Sequence, residues 1–218
     1  IIGTDVFVPL DYIIGGIEQA GNGWRMLVEC LSAGRAISLP SGAMGGAKAT
    51  ACATGAYARV REQFNIPIAE FEGIAEPLGR IAGYTYIITA AINTTAMAIG
   101  TGEKPAVISA IMKYHTTEMA RKIVLDAMDI HGGKAVMRGP KNYMASAYEA
   151  GPIGITVEGA NILTRSLIIF GQGAFRCHPY VLKEIEAVEQ EDADESLEQF
   201  DRHFFNHVAY TFSNVARS

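Results

Sequence analysis

Apolar residues in this chain recur mostly at three- and four-residue steps, the spacing that places them on one face of a helix. From about Gly23 to Gln63 the positions Trp24, Leu27, Leu31, Met44, Ala51 and Tyr57 keep that period and predict one long helix. Pro40 falls inside it and predicts a kink, and Asn65-Ile66-Pro67 is a stop. A second helix is predicted from Phe71 or Glu72 to Ile99, with Gly100-Thr101-Gly102 ending it. A third runs from Pro105, a favourable first-turn residue, to His131, where Gly132-Gly133 follows. Long helices joined by short turns favour antiparallel neighbours in a bundle. The stretch 134–152 contains Gly139-Pro140 and Gly151-Pro152 and reads as irregular, with a short helix after Glu158 completing a bundle of four.

The two ends differ from this pattern. Ile1 to Gly16 alternates and is rich in β-branched residues, which predicts a strand and a connection. After Gly171-Gln172-Gly173 the composition turns acidic, most strongly between Glu184 and Glu198. That run is read as a solvated helix face or linker, with a docking surface as the alternative. Leu197, Phe200, Phe204, His207, Val208 and Phe212 then regain helical spacing, as an amphipathic helix packed on something would.

Between Arg80 and Glu103 no residue is charged, a run long enough to cross a bilayer. Six Thr and Asn positions interrupt it, from Thr85 to Thr101, so a central helix of a bundle is the better reading. The 218 residues suffice for one or two domains with a real core. The net charge of -5 and the lack of a basic cluster argue against a general nucleic-acid binder. Cys30, Cys52 and Cys177 have no metal-ligand spacing and cannot all pair, which suits a reduced, cytoplasmic-type compartment. The chain opens without Met in strand-like sequence, so we expect a fragment of a longer protein.

The most informative stretch for chemistry is Val157-Glu158-Gly159-Ala160-Asn161-Ile162-Leu163-Thr164-Arg165. It sets one carboxylate beside a glycine just before a helix. The plain reading of Glu158 is a helix cap. The order of further blocks along the chain supplies the other reading: Gly21-Asn22-Gly23-Trp24 opening a helix that carries Arg35, then Arg61-Glu62-Gln63-Phe64-Asn65, then Asp129-Ile130-His131-Gly132-Gly133, then Val157-Glu158-Gly159. This order resembles that of acyl-CoA dehydrogenases, and Thr4-Asp5-Val6-Phe7-Val8-Pro9 is similar to the family strand leaving the central β-domain. The details look closest to the large bacterial long-chain enzymes of the FadE type.

The resemblance implies a mainly all-α fold. It would be an antiparallel four-helix bundle over 21–172, after a short β remnant in 1–20 and before a helical extension over 173–218. It implies FAD-dependent α,β-dehydrogenation of a fatty acyl-CoA to the trans-2-enoyl-CoA, in fatty acid β-oxidation. Glu158 matches the base that takes the α proton. The family's other position for a base corresponds to Gly34, which has no side chain, and Glu149 is the nearest competitor in sequence. Ser32, Arg35 and Gly159 match substrate contacts, although family members usually carry a charged residue near Ser32. Arg35 has an equal second reading as a helix salt bridge, with Glu29 or another chain as partner. Arg61, Gln63 and Phe64 match a block that grips FAD, often across a dimer interface, and Arg61 reads otherwise as a helix-terminal cation. Asp129, Ile130, His131, Gly132 and Gly133 match a second FAD turn, where Asp129 replaces the family's usual Gln and His131 reads better as a structural helix-end residue. Ala160 and Ile162 match the segment whose backbone meets the cofactor.

The implied partners are a medium- to long-chain acyl-CoA, an electron-transfer flavoprotein or similar acceptor, and a second copy of the chain. No metal site is expected. An acyl-CoA oxidase would use the same base, and a helical interaction module without chemistry is the rival from another class. The location implied is cytoplasmic, with inner-membrane association open. With the flavin-facing β-domain almost wholly outside the sequence, the chain alone is expected to be inactive and to hold FAD weakly or not at all.

Overall fold

The computed structural model describes residues 2–103 and 106–218, apart from the side chains of Trp24, Arg25, Val28, Glu29, Ser32, Ala33, Ala106, Leu167, Gln172, Ala174 and Arg176. Packing divides the chain into two units, at Ala160 and Asn161, earlier than the composition shift near Gly171.

The first unit is built on α1 (Gly23–Val60), α2 (Glu72–Gly100), α3 (Ala106–His131), a single turn α4 (Gly133–Val136), and α5 (Met144–Thr156). Lys113 near the start of α3 meets the end of α5, and Tyr143, just before α5, meets His131 at the end of α3. These two helices are therefore antiparallel. Tyr57 stacks on His131, while Arg35 lies close enough to Lys113 to perturb it, so α1 and α3 run parallel, with α2 antiparallel to both. The result is an up-down-up-down bundle.

The cause of this packing is visible in the buried residues. On α2, Ile81, Ile88, Ile92 and Thr95 form one stripe at seven-, four- and three-residue steps. Each buried Ile contributes about 1.5–3 kcal/mol. The hydroxyls of Thr85, Thr89, Thr94 and Thr95 donate to carbonyls one turn back, at 2.7–3.0 Å, so the uncharged part of α2 after Arg80 leaves few polar groups unsatisfied. Among the described residues no single helix is long and apolar enough to cross a membrane. On α1 the buried stripe is made of small side chains, Ala36, Ala47, Thr50, Thr54 and Ala58, which lets α1 approach its neighbours closely. The buried Pro40 lies within this helix, which continues through it. Helix α3 packs on α1, α2 and α5 at once and keeps an exposed stripe through Ile108, Ile111, His115, Lys122, Leu125 and Asp129.

Three sequence expectations need correction. No strand is described between Ile2 and Asn22; the segment holds two 3₁₀ turns, Leu10–Tyr12 and Ile17–Gln19, and is mostly exposed. A strand requires a hydrogen-bonded partner, and alternation alone does not supply one. The two-residue β1 (Glu62–Gln63) and β2 (Ile66–Pro67) instead form a small antiparallel hairpin after α1, which ends at Val60 rather than Gln63. Phe64 and Asn65 turn it with φ of 53° and 64°, as a tight hairpin requires. The stretch 134–152 is not irregular either: α5 starts at Met144 and runs through Pro152 to Thr156. Asn142 makes this start possible. Its Oδ1 accepts from the N–H groups of Met144 and Ala145 at 2.8 and 3.0 Å, and its Nδ2 donates to the carbonyls of Lys134 and Ala135. The predicted start of α3 at Pro105 lies outside the described residues.

The second unit contains α6 (Asn161–Leu163), a wide-turned π segment (Thr164–Gln172), α7 (Gly173–Cys177), α8 (Val181–Val188) and α9 (Ala193–Arg217). The acidic run becomes the end of α8, a short turn and the start of α9. There Asp192 caps the helix by accepting from Asp194 and Glu195 N–H, both at 3.0 Å. Helices α8 and α9 pack as a hairpin tied by His207 to Glu184 at 2.8 Å and by rings of His178, Tyr180, His207 and Tyr210.

Candidate active site

The polar features of the first unit gather at two ends of α3. At the N-terminal end the last turn of α5 closes with Val157 N–H donating to Ile153 O at 3.0 Å. The chain then turns sharply, with Glu158 at φ 54° and Gly159 at φ 89°. Glycine adopts this backbone freely, whereas for glutamate it costs roughly 1–3 kcal/mol and must be imposed by the surroundings. Such strain clusters at functional positions. Glu158 is half-buried, and its Oε2 is buried without a hydrogen-bond partner among the described residues. The Nε of Arg35, on α1, is likewise buried and unpartnered. Buried polar atoms of this kind are rare in folded proteins, and each calls for an explanation.

Lys113 lies between these elements and is fully buried. Its ammonium donates to Gly159 O at 2.8 Å and to Ile155 O at 3.1 Å, spanning the Glu158 turn. Burial pushes its pKa down, and so does the Arg35 cation, while Glu158 and Glu118 oppose that shift. Arg35, Lys113 and Glu158 therefore share one electrostatic neighbourhood. Lys113 was not singled out from sequence, although its phase on the buried stripe with Met112 and Thr116 is the signal that could have found it.

The same end borders an apolar cavity of about 430 Å³ between α1, α3 and α5. Gly42, Ala43, Gly46, Thr117, Gly151 and Gly154 are among its lining residues, and Gly154 lies four positions before Glu158. A Cβ added at Gly42, Gly46 or Gly151 would meet nothing within 4 Å, so these glycines leave real room. Glu149 lines the cavity and pairs with Arg138.

The other group is at the C-terminal end of α3. His131 is buried; its Nδ1 donates to Ala127 O at 2.7 Å, so its Nε2 accepts from Tyr143 OH at 2.6 Å. Its ring stacks on Tyr57 at 4.3 Å. Desolvation holds its pKa below the usual 6.5. A neutral His in the fold binds fewer protons than in the unfolded chain, so its stability is undiminished above about pH 6.5 and is lost as pH falls through the folded value. In urea titrations from pH 8 to 5 the wild-type chain should lose more stability than His131→Gln; equal slopes would exclude this linkage.

Around that cluster, Gly132 turns the chain at φ 58°, and Asp129, Gly132 and Gly133 are exposed while Ile130 is buried. Arg61, Gln63 and Phe64 are exposed on the β1–β2 hairpin, where Gln63 donates to Glu62 O. Lys113 and His131 are 18 positions apart, about 27 Å along α3 at 1.5 Å per residue. The sequence-predicted residues thus form two groups. Glu158, Gly159, Ala160 and Arg35 belong to one end, and the hairpin and the Asp129–Gly133 turn to the other. Ile162 is exposed on the second unit, and the side chain of Ser32 lies outside the described residues.

Comparison with known proteins defines the class. Residues 21–170 match the family model "Acyl-CoA dehydrogenase, C-terminal domain", and residues 175–218 match "Acyl-CoA dehydrogenase, C-terminal, bacterial type". The chain belongs to the acyl-CoA dehydrogenase family and carries its C-terminal helical domain. It is 33% identical over 133 residues to the 3-(aryl)acrylate reductase of Clostridium sporogenes, covering 61% of this chain and 34% of that protein. A shorter stretch of 54 residues is 68% identical to Protein HemX of Proteus mirabilis, over 25% of this chain and 32% of that one. Among solved structures it is similar to a glutaryl-coenzyme A dehydrogenase in complex with glutaryl-CoA, with a TM-score of 0.65, 25% identity, and coverage of 71% of this chain and 38% of the other. The chain thus spans about a third of the length of these relatives.

Proposed function

We propose that this chain is the helical, base-bearing part of a longer FAD-dependent acyl-CoA dehydrogenase, with Glu158 as the base that removes the α proton of a fatty acyl-CoA. The observation that carries the reading is the Glu158 carboxylate, held in a strained left-handed turn with a buried, unpartnered oxygen. Binding of an acyl thioester would expel water from the carboxylate and bring the α proton within its reach, which suits a general base. The backbone N–H of Glu158 is the donor the family uses toward the thioester oxygen, where negative charge develops as the α proton leaves. Arg35 supplies a cation for the thioester and CoA end. When bound, FAD supplies the acceptor for the β hydrogen, which leaves as hydride.

Arg61 and the open backbone at Gly132 and Gly133 suit a phosphate-bearing cofactor, and the exposed ring of Phe64 suits its adenine. Asp129 is the one residue there with the wrong charge for phosphate, and it suits a ribose hydroxyl. Their distance from Glu158 along α3 favours a flavin shared between two copies of the chain, as the resemblance implies. An electron-transfer flavoprotein or similar carrier would then reoxidise the flavin. The match of residues 175–218 to the bacterial-type model supports a bacterial-type parent with a helical C-terminal extension.

The apolar, glycine-lined cavity beside Gly154 suits an acyl chain of medium to long length; its volume lies in the ordinary range for a ligand site. The test uses the full-length parent, mixed anaerobically with acyl-CoA from butyryl to palmitoyl while flavin absorbance is followed. Bleaching by the longer chains is expected. In Gly46→Leu the kcat/KM for the longest chain should fall about 10-fold or more relative to butyryl-CoA. A parent that holds no flavin would favour a helical interaction module instead. Unchanged chain-length preference in the variant would remove the acyl chain from this cavity.

A further inference from the structure

We propose that Lys113 is a positioning residue for the proton-abstracting carboxylate: it holds the Glu158–Gly159 turn in its left-handed form. The inference rests on Glu158 being the base. A lysine with no exposed surface is unusual, since burying its charge is costly unless the ammonium is fully engaged. Here the ammonium bonds two carbonyls, Ile155 O and Gly159 O, and these flank Glu158 on both sides in sequence. The first ends α5 and the second closes the turn. Donation to both fixes how far the turn can open.

The stalk of Lys113 is anchored by α3, which is packed on three helices and therefore does not yield. One turn further along α3, Thr117 donates to Lys113 O at 2.7 Å, and its methyl lies 3.4 Å from a Cβ placed on Gly154. Lys113 and Thr117 thus clamp the end of α5 and the turn beyond it to the bundle. The second part of the role is electrostatic. Arg35 on α1, Glu158 in the turn and Glu118 on α3 are the charged groups that act on Lys113. The buried ammonium and the Glu158 carboxylate attract one another.

The test compares full-length parent enzyme with Lys113→Met, which keeps most of the apolar stalk but removes its charge and donors, and Lys113→Gln, which is one atom shorter and keeps donors without charge. Anaerobic flavin bleaching by acyl-CoA is measured per bound flavin, together with amide hydrogen exchange of residues 157–160. In Lys113→Met the bleaching rate should fall by about 10- to 100-fold while KM for acyl-CoA changes less than about 2-fold, as expected for a misplaced reacting group. Exchange at the turn should rise most in Lys113→Met, with Lys113→Gln in between. A wild-type rate per flavin in Lys113→Met would overturn the proposal, as would unchanged exchange at the turn. If Lys113→Met fails to fold, Lys113→Gln decides by the same two readouts. Failure of the proposal is distinguishable from failure of the base assignment, because the latter would show as normal bleaching in a variant of Glu158 itself.

Discussion

Replacing Glu158 by Gln in the full-length parent should lower the rate of flavin bleaching by acyl-CoA about 10²–10⁴-fold, the usual worth of a general base. Flavin content and acyl-CoA binding should remain, because the amide keeps the size of the side chain and the turn is held from outside it by Lys113. Gln also removes the one negative group at the turn, so the two nearby cations, Arg35 and Lys113, lose a compensating charge. A small loss of stability is therefore compatible with the reading, while retained bleaching is not. Stopped-flow absorbance under anaerobic conditions separates the two. If variant and parent bleach alike, the base lies elsewhere. Glu149 is then a poor substitute, since it is engaged by Arg138.

The largest effect on stability is expected at Ile123, which is completely buried on α3 in the shared core. Ile123→Ala removes three carbons from a site bounded by several helices, where collapse cannot refill the space. The cost should be about 2–5 kcal/mol. Ile108, on the same helix but 51% exposed, provides the contrast: Ile108→Ala should stay within about 0.5 kcal/mol. Urea unfolding of the two variants measures both values. Similar losses at the two positions would mean that α3 is not the centre of the packing.

Sequence periodicity is most reliable where one face of a helix is buried and the other is not. That is why α1, α2 and α3 were legible to within a few residues: each carries a repeating apolar or small-residue stripe, and glycines stop α2 and α3 while the β1–β2 hairpin stops α1. Helix α5 was hidden because its signals are side-chain bonds rather than a pattern. Asn142 starts it through contacts that no spacing rule reveals, and Gly151-Pro152 inside it reads as a break. The N-terminal alternation misled for the opposite reason, since a pattern suited to a strand has no ladder to join among the described residues.

The candidate site shows the same division. Glu158 stood out because a carboxylate beside glycine is a local feature, as are the glycines at 132 and 133. Lys113 did not, because its role depends on two carbonyls more than forty positions away in sequence. The separation of the site residues into two groups along α3 is also invisible in the linear order, where all blocks look like one set.

The backbone at position 158 also sets two demands against each other. Its left-handed conformation suits glycine or asparagine better than glutamate. A laboratory selection for heat resistance alone would therefore drift toward those residues and discard the carboxylate proposed here as the base, giving a sturdier protein without it. Thermal robustness is thus a misleading guide to fitness at this residue, and any stabilising library built on this domain should hold position 158 fixed.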